Sequence, residues 1–272
     1  MTKPGPASAV QDRETHDLES FQRPMGEIPD RVQVALDQGV QPMAQTSCFD
    51  DPNQLLDVPG GGDGLVDQVV RLPNGQLVIA CLTEMPGVTA AMWDWWFSWH
   101  SYTSERYCLW HPKDHVASSI DEDRRHVSSI HDRWVGNTSY VDEYIGGDLQ
   151  KLAIRFVEAS SVGFDQARVD KIGVAICART ALRKERLVAG WLIHLVEDTD
   201  IGSRMHSRFL LGDTESEMPV VGPLITRISN TERVRRLRLT DQVGLALLLH
   251  CSQEMNHLAT ILAELHDRFG DE

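Results

Sequence analysis

Residues 240–269, TDQVGLALLLHCSQEMNHLATILAELHDRF, decide the fold. Thr240 or Asp241 suits a helix N-cap, and Leu245, Leu248, Met255, Leu258, Leu262 and Leu265 give the stretch one apolar face. The spacing predicts a single helix running to about Phe269, on the order of 40 Å long at a rise of 1.5 Å per residue. The apolar run at 245–249 falls far short of the roughly 20 residues a membrane span needs.

Upstream of this helix the pattern changes to short segments rich in β-formers. Residues 153–158, 172–178, 187–197 and 205–211 read as strands separated by polar turns. Residues 66–70 and 76–84 read as a hairpin about the Pro73-Asn74-Gly75 turn. A helix is expected from Pro86 to about His100, since proline suits a first turn. A short helix is expected over 29–38 and an exposed charged stretch over 118–133, where His126 and His131 read as solvated. Residues 213–224 read as a loop, and 226–239 as a short helix and linker. A run of antiparallel strands followed by a long helix predicts an α+β domain, with the helix laid across a curved sheet. Two regions are expected: an N-terminal, loop-rich extension over 1–64 and the main domain over 65–272. Residues 1–27 are polar and read as loosely structured. The run Gly60-Gly61-Gly62-Asp63-Gly64 lacks phosphate-loop spacing and reads as loop.

Composition narrows the function. The chain has 272 residues, 42% hydrophobic and 24% charged, which suits a globular protein with a sizeable core. Its 40 acidic against 26 basic side chains give a net charge of −14, which argues against a nucleic-acid partner. The basic clusters at 179–186 and 233–238 are short and read as strand ends or solvated faces. The polar N-terminus offers no signal peptide and no segment predicts a membrane anchor. Five cysteines, without a CxxC pair, give no disulfide framework and predict a reducing, cytoplasmic setting. Cys81, Cys177 and Cys251 read as buried small hydrophobes.

The chemistry is written in histidines and carboxylates. His250 and Glu254 stand at i and i+4 on one helix face, where an imidazole and a carboxylate can grip one divalent ion. An ordinary surface pair has the same spacing, so the remaining ligands must come from distant sequence. His111 and His115 offer a His-Pro-x-x-His arrangement, Glu143 lies in an apolar context, and His257 is a reserve candidate. HExxH and GxSxG are absent, which counts against common peptidases and serine hydrolases. The ring-rich stretch Trp93–Trp99 reads as a helix packed deep against the sheet, or as the wall of an aromatic pocket.

Taken together, WDWWFSWH (93–100), RYCLWHPKDH (106–115), SYVDEYIGG (139–147), IHLVEDTDIGSRMHSRF (193–209) and HCSQEMNHL (250–258) resemble the 2,4-diacetylphloroglucinol hydrolase family, which has phloretin-type hydrolases as relatives. The resemblance spans about residues 60–265. It implies a Bet v 1-like helix-grip domain with a smaller, mainly helical N-terminal part, and a homodimer. It also implies a zinc-dependent hydrolase that cleaves the carbon–carbon bond between an acyl group and a polyhydroxylated ring. The zinc ligands it implies here are His115, Glu143, His250 and Glu254, with His111 the rival of His115. Tyr107 and His194 match the residues that position the phenolic ketone substrate. Phe209 stands where a second tyrosine is expected, and Ser118 near an expected asparagine. His206 is either a pocket residue or a strand-face histidine.

Overall fold

The computed structural model describes residues 17–43, 51–57 and 64–271. The expectations for residues 1–16, for the glycine run at 60–62 and for Cys48 lie outside the described residues.

The strands are β1 (Gln41–Pro42), β2 (Gln68–Arg71), β3 (Leu77–Pro86), β4 (His115–Ile120), β5 (Thr138–Ile145), β6 (Asp148–Val157), β7 (Gly173–Leu182), β8 (Leu187–Thr199) and β9 (Gly202–Ser216). They form one sheet in the order β1-β2-β3-β9-β8-β7-β6-β5-β4. Every pairing is antiparallel except β1 with β2. The helices are α1 (Asp30–Gln38), α2 (Ala90–Trp99), α3 (Ser104–Cys108), α4 (Ile130–Trp134), α5 (Ala159–Val162), α6 (Gln166–Ile172), α7 (Gly222–Ser229), α8 (Glu232–Arg238), α9 (Asp241–Ala259) and α10 (Leu262–Phe269). This is the α+β, helix-grip architecture expected from the sequence, with a curved antiparallel sheet and C-terminal helices across it.

Strand periodicity explains which residues meet. Along β8, Leu192, His194 and Val196 face the same core as α2, α9 and α10. Ile193 and Leu195, one residue out of phase, join a second cluster with Leu55 and Val169. Because both faces are covered at its centre, β8 reads as a nearly continuous apolar run rather than a clean alternation.

Two glycines let α9 come down onto the sheet. A Cβ on Gly244 would lie 2.7 Å from Cγ1 of Val69 on β2. Gly146, in the β5–β6 turn with φ +62°, would put a Cβ 2.9 Å from Ala246 Cβ on α9. The φ demands glycine, and so does the close approach. The hairpin carrying Glu143 is thereby pressed against the helix carrying His250.

Several boundaries differ from the sequence reading. The C-terminal helix is not continuous: α9 ends at Ala259, and Ile261 (φ −126°, ψ −13°) breaks the turn before α10 begins. Thr260 contributes by donating its hydroxyl to the His257 carbonyl, a local bond that competes with helix continuation. The break swings Leu262, Leu265 and Phe269 into the core, with Phe269 stacked on Trp99 at 5.2 Å. Pro86 ends β3 instead of opening α2, whose N-cap is Thr89 accepting from the Met92 amide. The charged stretch 118–133 contains the end of β4 and most of α4, and His131 lies 3.0 Å from Asp94 instead of being free in solvent. The region 213–224 holds the end of β9 and the start of α7, and 226–239 holds the rest of α7 and all of α8. Cys81, Cys177 and Cys251 are fully buried, as their small apolar side chains predict. Among the described residues, no helix is long and apolar enough to cross a membrane.

Candidate metal centre

Three segments distant in sequence supply the centre. His115 opens β4 directly opposite Glu143 of β5, so pleating sends both side chains to one face. A register shift between His115 and Ala117 breaks the ladder just past this pair. From above, α9 presents His250 and Glu254 one turn apart. All four residues are buried.

Their reactive atoms converge. His115 Nε2 lies 3.7 Å from Glu143 Oε2 and 3.4 Å from Glu254 Oε2, and His250 Nε2 lies 3.9 Å from Glu254 Oε2. Ligand atoms of His115, Glu143 and His250 all fall within 4.8 Å of one another. Neither Nε2 has a hydrogen-bond partner although both are buried. An unpaired buried polar atom costs about 1–3 kcal/mol. Two such atoms aimed at two carboxylates match the donor set of a divalent cation.

Backbone hydrogen bonds distinguish the two candidate histidines. The Nδ1–H of His115 points at the Tyr107 carbonyl, 3.1 Å away, which leaves Nε2 as the lone-pair nitrogen. His111 has the reverse arrangement. Its Nδ1 accepts the Asp114 amide at 3.0 Å, so its Nε2 carries the proton and cannot ligate in the neutral ring. That Nε2 faces Asp114 Oδ2 at 3.4 Å. His111 therefore stands behind His250, its ring stacked on that imidazole at 5.0 Å.

Electrostatics follow from burial and crowding. Burial lowers His115 to about 4, and burial with the neighbouring histidines lowers His111 to about 4. Burial also opposes charge on His250, but Asp114, Glu254 and Glu143 together raise it to about 9. Glu254 is pushed up to about 7, chiefly by burial. Without a cation, the cluster has to hold protons that a dication would displace.

A ladder of rings supports the ligands. Trp96 stacks on His100 at 5.0 Å, His100 on Tyr107 at 6.1 Å, and Tyr107 on His115 at 3.9 Å with ring planes 3° apart. The Tyr107 hydroxyl donates to Glu143 Oε2. Tyr107 thus holds two of the four candidate ligands, one through its carbonyl and one through its hydroxyl. The rings of α2 are packed in the core behind this ladder.

His194 stands apart from the four. It lies on the inner face of the sheet in a row with Ser207 and Cys81, and its Nδ1 is 2.8 Å from the Ser207 hydroxyl. Phe209 meets it edge-on at 5.7 Å. Burial holds His194 down at about 3, so it is neutral across the ordinary pH range. His206, one residue from Ser207, points to the opposite face, 3.6 Å from Glu197. Ser118 donates its hydroxyl to the Ser101 carbonyl. His257 is buried on α9. The residue missed in sequence is Asp114, whose Oδ2 is 3.5 Å from His250 Nδ1. Its signal was its place within the His-Pro-Lys-Asp-His run. A separate cleft of about 530 Å³, lined by Asp94, His131, Asp170, Lys171 and Asp198 among others, includes none of the four candidate ligands.

Comparison with known proteins identifies the family. The sequence profile described as the DAPG hydrolase PhiG domain matches residues 49–267. A 2,4-diacetylphloroglucinol hydrolase from Pseudomonas protegens is 31% identical over 213 residues, covering 73% of this chain and 67% of that protein. A phloretin hydrolase from Eubacterium ramulus is 27% identical over 263 residues, covering 90% of this chain and 87% of that protein. Among solved structures, protein Ms6760 from Mycobacterium smegmatis has a TM-score of 0.40 at 11% identity, covering 73% of this chain and 98% of that one. With the profile spanning most of its length, this chain belongs to the DAPG hydrolase family.

Proposed function

We propose that the protein hydrolyses the carbon–carbon bond between an acyl group and a polyhydroxylated aromatic ring, using one zinc ion held by His115, Glu143, His250 and Glu254. The observation that carries this reading is the convergence of two unpartnered imidazole nitrogens on two buried carboxylates, in a chain whose relatives are hydrolases of phenolic ketones. The substrate class is an acylphloroglucinol such as 2,4-diacetylphloroglucinol, giving monoacetylphloroglucinol and acetate. The setting is the cytoplasm and the assembly a homodimer.

The chemistry has to overcome a poor leaving group, since an aryl carbanion is not expelled by water attack on a ketone. Ortho and para hydroxyls remove the difficulty. The ring carbon bearing the acyl group takes a proton and the ring adopts a keto form. Water attacks the acyl carbonyl, the carbon–carbon bond breaks, and its electron pair returns to the ring as an enolate that rearomatises. Bound zinc supplies a Lewis acid for oxygen and lowers the pKa of water. The chain's own residues do the rest. Tyr107 holds His115 and Glu143 in place, and is also the candidate anchor for a ring hydroxyl. His194, neutral and fixed by Ser207, presents a hydrogen-bonding edge to a phenolic oxygen and is suited to orienting the ring rather than to carrying a charge. The buried rings around them exclude water, which strengthens each polar contact.

Phe209 offers no hydroxyl where the resemblance expects a tyrosine, and this departure is the reason to assay a second substrate of the same class, a phloretin-like dihydrochalcone. The test is turnover of diacetylphloroglucinol and of phloretin by the zinc-loaded chain, followed by loss of aryl-ketone absorbance and identification of the released acid. Stoichiometric zinc with release of acid from either compound supports the reading. Ligand binding without product makes the protein a carrier and overturns it.

A further inference from the structure

We infer that Asp114 is a positioning residue that aims His250 at the metal, an inference that rests on the zinc reading above. His250 uses its two ring nitrogens in opposite directions. Its Nε2 faces Glu254 Oε2 at 3.9 Å and its Nδ1 faces Asp114 Oδ2 at 3.5 Å. The ring is buried, and neither nitrogen has another partner. A ligating histidine needs its second N–H held, because that bond fixes the tautomer and the ring plane.

Asp114 is itself held on three sides. Its amide donates to His111 Nδ1 at 3.0 Å and to the His111 carbonyl at 3.2 Å. Its own carbonyl accepts the Tyr144 amide at 2.8 Å, which ties it to β5 beside Glu143. The first of these bonds sets the proton of His111 on Nε2, 3.4 Å from Asp114 Oδ2. One carboxylate oxygen thus faces two N–H groups from rings lying 7° from parallel. Both separations are a few tenths of an ångström beyond ordinary hydrogen-bond length, and the Asp114 side chain is partly exposed.

The same three residues, His111, Asp114 and His250, form a group whose ligand atoms lie within 4.8 Å of one another. A second ion there would need a lone pair on His111, whose Nδ1 is taken by an amide and whose Nε2 is protonated. It would also need both nitrogens of His250 at once. The arrangement is that of an orienting carboxylate shared by two imidazoles.

The test is zinc affinity, measured on the metal-stripped full chain by competition with a chelator, with ion stoichiometry from elemental analysis. The native chain should take up one zinc. Asp114→Ala should bind it about 10- to 100-fold more weakly, with an unchanged far-UV spectrum in the metal-free state. Asp114→Asn, which keeps an oxygen acceptor and the side-chain shape, should fall between the two. In the zinc-loaded native chain, long-range proton–nitrogen NMR should show His250 protonated at Nδ1 and metallated at Nε2. Equal affinity in the native chain and Asp114→Ala overturns the inference and leaves the zinc reading standing. Two ions per native chain, falling to one in Asp114→Ala, make Asp114 a ligand and overturn it as well. A native chain that binds no zinc overturns both.

Discussion

Replacing Tyr107 with Phe separates two roles that one side chain offers. The phenol is buried, stacks on His115 at 3.9 Å and donates its hydroxyl to Glu143 Oε2, the oxygen that faces His115 Nε2 at 3.7 Å. Phenylalanine keeps the stack and the backbone bond to His115 and removes only the O–H. A hydrogen bond to a charged acceptor contributes about 1.5–3 kcal/mol. With 1.4 kcal/mol per tenfold in affinity, zinc binding should weaken about 10- to 100-fold if the bond serves the loaded site. Chelator competition on metal-stripped Tyr107→Phe measures this directly. With saturating zinc, kcat and KM then report any remaining role toward substrate. Zinc affinity equal to the native value, together with a raised KM, would refute the reasoning and leave Tyr107 as a substrate anchor alone.

Other consequences follow from burial and backbone geometry. His194 is neutral and held at about 3, against 6.5 when exposed. Its lowered pKa means that the unfolded chain binds the extra proton, so stability present above pH 6.5 is lost as pH falls toward 3. The slope is about 1.4 kcal/mol per pH unit, and urea unfolding of the metal-free chain between pH 6.5 and 5 should lose about 2 kcal/mol from this group alone. In His194→Gln the loss over that interval should be smaller by the same amount; an identical loss would contradict the assignment. Gly146→Ala forces a left-handed conformation on alanine and a 2.9 Å approach to Ala246. It should cost about 1–2 kcal/mol from the backbone, lower the melting temperature, and weaken zinc binding by displacing the Glu143 hairpin. Gly147→Ala, at φ +87° with nothing within 4 Å of its Cβ, should lower the melting temperature while leaving zinc affinity unchanged.

Much of this architecture was legible because periodicity reports burial. The α9 face and the run of strands from β6 to β9 carry enough apolar side chains to betray their spacing. What escaped was set by contacts that leave little mark on local sequence. β4 is short and runs into charged residues, so its pairing with β5 outweighs its composition. The break at Ile261 brings Leu262, Leu265 and Phe269 into the core beside α2, a tertiary gain that the local sequence does not show. Pro86 is tolerated at the end of β3, where the strand is finishing, and Thr89 supplies the helix cap instead.

The site shows the same division. His250 and Glu254 announce themselves by helical spacing, and the resemblance points to Glu143 and His115. The choice between His111 and His115 depends on which ring nitrogen each backbone group engages, and no spacing rule carries that. Asp114 was overlooked for a related reason: its place in the His-Pro-Lys-Asp-His run was its one local signal, and its oxygen approaches a helix more than a hundred residues away.

The central claim is that His115, Glu143, His250 and Glu254 enclose one divalent ion. Anomalous diffraction at the zinc edge, from crystals of the zinc-loaded chain, tests it most directly. The account predicts one strong peak at about 2.0–2.2 Å from both Nε2 atoms and from an oxygen of each glutamate. A peak bounded by His111 and Asp114, or no ordered zinc among these side chains, would contradict it.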